Sequence, residues 1–210
     1  MPGLFVTFEG GEGSGKSTQV ARLAARLRSL GAEPLVTREP GGTPLAEGVR
    51  ALLLDPERAP VPVAEAMLME AARAQLVATV IRPALEAGRV VLCDRYADST
   101  LAYQGAGRGL DAALLAGWND AATGGLVPAL TLLFDVPAEL GLERRRSAPG
   151  AMNRIDREAA DFHARVRACY LELARREPQR FVVLDGSLAA DELEPRVWDA
   201  VQQRLALPKS

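Results

Sequence analysis

The stretch that most constrains this chain is Gly10-Gly11-Glu12-Gly13-Ser14-Gly15-Lys16-Ser17-Thr18, set directly behind the apolar run Leu4-Phe5-Val6-Thr7-Phe8. It meets every fixed position of G-x-x-x-x-G-K-[ST]. The apolar run reads as a buried strand, and Val20, Leu23, Ala24, Leu27 and Leu30 recur at helical spacing behind it. Glycines at the turn let successive backbone N–H groups converge on phosphate oxygens, and a helix N-terminus adds partial positive charge. Lys16 brings a compact cation to a triphosphate, and Ser17 offers a hydroxyl to Mg²⁺. A plain glycine turn explains Gly10 and Gly15 but not Gly-Lys-Ser at the helix start. The stretch is a phosphate-binding loop.

Composition supports that reading. Of 25 basic residues only Lys16 and Lys209 are lysine. Whatever bias removed lysine spared Lys16, where a planar guanidinium is no substitute for an ammonium. A net charge of −2, with arginines spread along the chain, leaves no electrostatic footprint for nucleic acid. No apolar run is of membrane-spanning length, and no leader pattern precedes the loop. Cys93 and Cys169 lie far apart in sequence and read as reduced, packed thiols of a cytoplasmic protein.

Strands and helices alternate throughout, which predicts a single α/β domain over 1–210, a parallel sheet with helices on both faces. Strands are expected at about 4–8, 34–37, 89–93, 130–135 and 180–184. Helices are expected at about 16–30, 44–53, 63–86, 97–104, 111–123, 137–147, 154–176 and 189–206. The end around Pro208-Lys209-Ser210 is expected to fray.

Ligands of such sheets lie beyond the carboxyl ends of the strands, and polar clusters follow the strands here. The second strand runs into Thr37-Arg38-Glu39-Pro40-Gly41-Gly42-Thr43-Pro44, with Arg50 on the next helix. The third delivers Asp94-Arg95-Tyr96, then Ser99, Thr100, Tyr103 and Gln104, a candidate substrate wall. Asp94 is placed to hold Mg²⁺ or its waters, and Arg95 to clamp a second phosphate. Asp135, ending the fourth strand, reads equally as a second metal carboxylate or as a helix cap. Arg73 sits among apolar residues of a long helix, at an edge or pointing into a cavity; pattern leaves both open. From about 144 to 154, Arg144, Arg145 and Arg146 run into a Pro-Gly loop that ends at Arg154. That is the composition of a short lid presenting cations to phosphates, although Arg145 alone reads as part of a solvated face. His163, without a carboxylate or cysteine partner nearby in sequence, reads as structural.

A GTPase switch would carry a guanine-selecting Asn-Lys-x-Asp, which is absent, and a motor or transporter ATPase needs more chain. Two phosphate sites and a lid favour a small-molecule kinase; a non-catalytic nucleotide-binding adaptor is the remaining alternative.

Phe8-Glu9-Gly10, the loop with Glu12, Arg38-Glu39-Pro40-Gly41-Gly42-Thr43, Arg73, Asp94-Arg95-Tyr96 with Ser99 and Tyr103-Gln104, and Arg154-Ile155-Asp156 together resemble the bacterial thymidylate kinases. The resemblance covers nearly the whole chain. It implies a five-stranded P-loop kinase fold, usually homodimeric, moving the ATP γ-phosphate to dTMP with Mg²⁺. It also implies roles residue by residue. Lys16, the loop from Gly10 to Thr18, and Arg144 on the adenine side hold ATP; Ser17 and Asp94 serve the metal. Glu12 lies near the sugar 3′-hydroxyl; Arg95 and Arg38 face the dTMP phosphate, with Glu39 and Arg50 lining that side. Arg73 reaches the thymine O4, Ser99, Thr100 and Gln104 surround the base, and Tyr103 crowds the 2′ position. Met69 stands where relatives often place phenylalanine against the base, and its thioether still offers polarisable contact. Gly11-Glu12-Gly13-Ser14 lacks the arginine some relatives carry there. The transition-state cation is therefore expected from the lid, from Arg154 first and Arg146 next.

Overall fold

The computed structural model describes residues 3–148, 150 and 152–205. Pro149 and Ala151 of the expected lid, and the expected frayed end Pro208-Lys209-Ser210, lie outside the described residues. Strands β1 (Phe5–Glu9), β2 (Leu35–Arg38), β3 (Val91–Asp94), β4 (Leu130–Asp135) and β5 (Phe181–Asp185) form one parallel sheet in the order β2-β3-β1-β4-β5. All five fall within a residue or two of the expected positions.

Side-chain alternation along β1 and β4 sorts the sheet into two faces. Val6, Phe8, Leu130, Leu132 and Phe134 meet α1 (Lys16–Ser29) and α9 (Ala190–Gln202) through Val20, Leu23, Leu27, Val197 and Trp198. Phe5, Val91 and Cys93 face the other way, onto Leu76, Val77 and Ile81. Leu133 and Phe181 cover Phe162, Val166 and Tyr170 of α8 (Ala160–Arg176). Thr7 and Thr131 also turn to that second face and pair their hydroxyls at 2.9 Å, which satisfies both inside the core.

The remaining helices are α2 (Pro44–Leu54), α3 (Pro62–Leu76), α4 (Arg82–Glu86), α5 (Ala97–Thr100), α6 (Ala112–Thr123) and α7 (Ala138–Ser147). The single helix expected over 63–86 is continuous but not uniform: a π-helical turn, Val77–Ile81, joins α3 to α4. Pro83 supplies the reason, since its ring has no N–H and collides with the carbonyl four residues back. A second π-helical stretch, Leu101–Gly107, continues α5 and carries Tyr103 and Gln104. The helix expected from 154 starts instead at Ala160. Asn153 Oδ1 accepts from the amides of Ile155 and Asp156, so this segment folds as side-chain-capped turns rather than as a first helical turn.

Because β1 lies between β3 and β4, the phosphate loop and the Asp94-Arg95-Tyr96 turn emerge side by side, with Phe8 in register with Asp94. The sequence places both at carboxyl ends; the strand order makes them neighbours.

Candidate active site

The loop after β1 turns through glycines with positive φ at Gly10 (137°), Gly13 (66°) and Gly15 (90°). No side chain caps α1, whereas Thr43 caps α2 and Asp111 caps α6. The first amides of α1 are therefore available to an anion. Lys16 folds over the loop, its Nζ donating to the carbonyls of Gly10 (3.1 Å) and Gly11 (2.7 Å) and to Ser14 Oγ (3.1 Å). Burial pushes the ammonium down to about pH 8, partly offset by Glu12, Asp94 and Glu9.

The loop also leans on α7. A Cβ on Gly141 would fall well inside contact distance of the Glu12 carbonyl oxygen, and one on Gly13 would strike the Gly141 carbonyl. Within a helix, glycine to alanine ordinarily gains about 1 kcal/mol. Gly141→Ala is expected to do the reverse, lowering the melting temperature and raising the KM for ATP as loop and helix are forced apart. A higher melting temperature with an unchanged KM would disprove this close approach.

Ser17 Oγ donates to Asp94 Oδ2 at 2.5 Å, which joins the loop to the end of β3. The neighbouring Arg95 adopts φ 72°, and its guanidinium reaches Gly10 O at 3.0 Å and Glu12 Oε1 at 2.7 Å while stacking over Tyr103. Tyr103 Oη also donates to Glu12, at 2.9 Å. Burial alone would raise the Glu12 carboxyl, but Arg95 and Lys16 beside it outweigh this and hold it down at about 2. Glu12 is thus a fixed anion.

Two cavities meet at Glu12, Glu39, Arg50, Arg95 and Asn153. The wider, about 490 Å³, is lined by the loop from Glu12 to Thr18 with Arg38, Asp94, Arg144 and Arg145. The narrower, about 110 Å³, is walled by Met69, Ser99, Tyr103, Gln104, Glu65, Leu53, Leu54, Arg154 and Ile155. Arg38, on the wide cavity, pairs with Glu47 at 2.9 Å, and Arg50, at the junction, donates to Pro40 O at 2.9 Å. Gln104 Nε2 donates to Glu65 Oε1 at 2.7 Å, and this sets its amide; Oε1 is buried and has no partner among the described residues.

Some expected residues are placed elsewhere. Arg73 lines neither cavity. It is wholly buried, with Nε on Glu39, Nη1 on Glu70, Thr100 and Asn119, and Nη2 on Tyr96 O and Glu39. All its donors are engaged within the protein, so it braces the cavity wall. Thr100 is buried in the same cluster. Burial pushes Glu39 up to about 7 despite Arg73 beside it. Arg146 is exposed and touches neither cavity. Arg154 faces the narrow cavity instead of the loop: Nη2 pairs with Glu65 at 2.5 Å and Nε donates to Leu53 O at 3.1 Å. Arg145, expected on a solvated face, lines the wide cavity and pairs with the buried Asp156 at 3.0 Å. Asp135 forms a two-point ion pair with Arg167 and does not line the cavity that holds Ser17 and Asp94. Arg144 donates to Gly186 and Ser187 carbonyls, beside a third cavity lined by Gly13, Ser14, Gly15 and Thr18 that runs towards Leu188 and Leu193.

Sequence reading missed Glu65, which looks like one acid on an ordinary helix but gathers Gln104, Arg108 and Arg154. Only its repeated recurrence in contacts across three segments marks it, and no local pattern carries that.

A five-stranded parallel sheet, a glycine loop at its switch point and a second polar cavity define a P-loop phosphotransferase. The thymidylate kinase family model matches residues 8–197. A thymidylate kinase of Deinococcus radiodurans is 55% identical over 204 residues, covering 96% of this chain and 98% of that one. One of Thermomicrobium roseum is 56% identical over 199 residues, covering 95% and 94%. The crystal structure of thymidylate kinase from Ehrlichia chaffeensis superposes with a TM-score of 0.77 at 31% identity, covering 96% of this chain and all of that one. The chain belongs to the thymidylate kinase family, enzymes that phosphorylate dTMP to dTDP using ATP.

Proposed function

We propose that this single-domain chain carries out that transfer with ATP in the wide cavity and dTMP in the narrow one, the two phosphates meeting between Lys16 and Arg95. The observation that carries the assignment is the wide cavity and its junction with the narrow one, where the uncapped α1 N-terminus and Lys16 share one lining with Arg95, Arg38 and Arg50. Loop amides from Gly11 to Thr18 and Lys16 hold the ATP phosphates, and Arg144 flanks the adenine side. Arg95, supported by Arg38, holds the acceptor phosphate. Arg145, already on the phosphate cavity, supplies the cation for the transferring group, and Arg154 shapes the acceptor cavity with Glu65.

Ser17 and Asp94 fit a Mg²⁺ ion: two hard oxygen donors lie 2.5 Å apart beside the phosphate loop. Mg²⁺ takes few protein ligands and completes its shell with water and phosphate oxygens. When bound it neutralises charge on the nucleotide phosphates.

Base choice rests on Gln104. Its Oε1, set by the Nε2–Glu65 bond, is buried in the wall of the narrow cavity without a partner among the described residues, and we take it as the acceptor for the base. It suits the N3–H of thymine or uracil and opposes the N3 lone pair of cytosine, so a mismatched base leaves a buried acceptor unpaired. A coupled ADP-release assay with a panel of monophosphates tests this. dTMP is expected to react best, dUMP more weakly, and dCMP at least about 10³-fold less well in kcat/KM. Comparable kcat/KM for dCMP and dTMP would refute the assignment of the narrow cavity.

The reading includes a cytoplasmic homodimer. Its supports are the free thiols Cys93 and Cys169, and exposed Leu45, Leu52, Val63, Met67 and Leu114 on α2, α3 and α6, with α3 packed against both other helices. Among the described residues no helix is long and apolar enough to cross a membrane. Sedimentation at micromolar concentration is expected to give twice the chain mass; a monomer would contradict this part of the reading.

A further inference from the structure

Arg95 is the one non-glycine among the described residues with left-handed backbone, φ 72°. That conformation crowds Cβ against the following carbonyl and persists only where the surroundings impose it. Here the surroundings converge on a residue outside both cavities. The Arg95 amide donates to Phe8 O at 3.0 Å, and the next amide, Tyr96 N, donates to Glu9 Oε1 at 2.7 Å. Glu9 Oε2 accepts from Ser99 Oγ at 2.6 Å and from Tyr170 Oη at 2.7 Å. Those two hydroxyls lie 2.8 Å from each other, and Arg95 Nη1 passes 3.5 Å from one and 3.4 Å from the other. Glu9 also directly precedes Gly10, whose carbonyl receives Arg95 Nη1 at 3.0 Å. One wholly buried carboxylate therefore grips Arg95 from two sides, at the backbone just after it and behind its guanidinium.

We infer that Glu9 is a positioning residue for the acceptor site: it holds the Arg95 turn in its left-handed form and, through Ser99 and Tyr170, fixes where the guanidinium points. The inference rests on the reading that Arg95 meets the acceptor phosphate. The carboxyl group meets Tyr96 N–H at one oxygen and the Ser99–Tyr170 hydroxyl pair at the other; an amide in its place would present an N–H to one side and force the hydroxyl pair to reverse. Tyr170 comes from α8, far along the chain, so the last third of the sequence takes part in setting a turn after β3. Glu9 faces no cavity, and both its oxygens are occupied by donors, which sets it apart from a proton acceptor for substrate.

The test is initial-rate kinetics on the full chain with Glu9→Gln, Arg95→Ala, the double variant and Tyr170→Phe. Arg95→Ala is expected to raise the KM for dTMP at least about tenfold. Glu9→Gln should raise it about tenfold while the KM for ATP stays within about twofold; in the Arg95→Ala background it should add less than about twofold. Tyr170→Phe should act in the same direction and less strongly, and it carries the same cycle if Glu9→Gln does not fold. Equal rises in both KM values, or a full additional cost in the Arg95→Ala background, would show a merely structural Glu9 and overturn the inference alone. An unchanged dTMP KM in Arg95→Ala would remove the reading of Arg95, and the inference with it.

Discussion

Lys16→Ala is expected to lower kcat by at least about 10²–10³-fold and leave the fold intact. The partners of Lys16 Nζ are two loop carbonyls and the Ser14 hydroxyl, and burial has already pushed its ammonium down to about pH 8. A charge held at such a cost is kept for a ligand, and removing it takes nothing from the core. Melting temperature and circular dichroism should therefore match the parent. Arginine should not rescue, because a planar fork cannot occupy the cradle of a compact ammonium. The lowered pKa also carries a sign. The free enzyme loses this cation as pH rises through about 8, so kcat/KM for ATP should fall there. Near-parental kcat in a folded Lys16→Ala protein would sink the assignment of the loop.

The second large effect separates two arginines that the sequence could not. Phosphoryl transfer spreads negative charge over equatorial oxygens, and an inserted arginine is worth roughly 10³–10⁵ in kcat. Arg145 stands on the wide cavity with Lys16, Ser17 and Asp94, on a helix whose Gly141 rests against the loop, with buried Asp156 holding its Nε. Arg154 is tied to Glu65 and to Leu53 O in the narrow cavity. Drawing it to the phosphates would strip the buried Glu65 Oε2 of its cation and leave that carboxylate only Arg108 and Gln104, both on Oε1. Arg145→Ala should accordingly lower kcat by orders of magnitude with little change in ATP affinity, the signature of a contact made in the transition state. Arg154→Ala should act chiefly on the KM for dTMP. Single-turnover transfer measured beside equilibrium ATP binding checks both. The opposite pattern, with Arg154→Ala abolishing transfer and Arg145→Ala near parental, would restore Arg154 as the lid cation.

The contrast marks where sequence stops being legible. Strands and the phosphate loop are local, written in short apolar runs and glycine spacing, and they appear where expected. Asp94 and Arg95 were legible as strand-end residues, since ligands collect there. Where Arg73 points was not, because an arginine on an apolar face looks alike whether it enters a cavity or braces a wall; Glu70 lies three residues back on the same helix, but Glu39 comes from the turn after β2 and only the fold brings it there. Arg145 and Arg154 come to line different cavities through Asp156 and Glu65, partners that no local pattern shows. Gly141 is silent in sequence too, since a helical glycine declares nothing about the backbone lying against it.

The most direct measurement of the central claim is chromatographic product analysis after the purified chain is incubated with ATP, Mg²⁺ and dTMP. Two cavities meeting at Lys16 and Arg95 predict dTDP and ADP in equal amounts, with almost no ADP released when dTMP is omitted. ADP formed equally fast without dTMP, or ADP without dTDP, would contradict it.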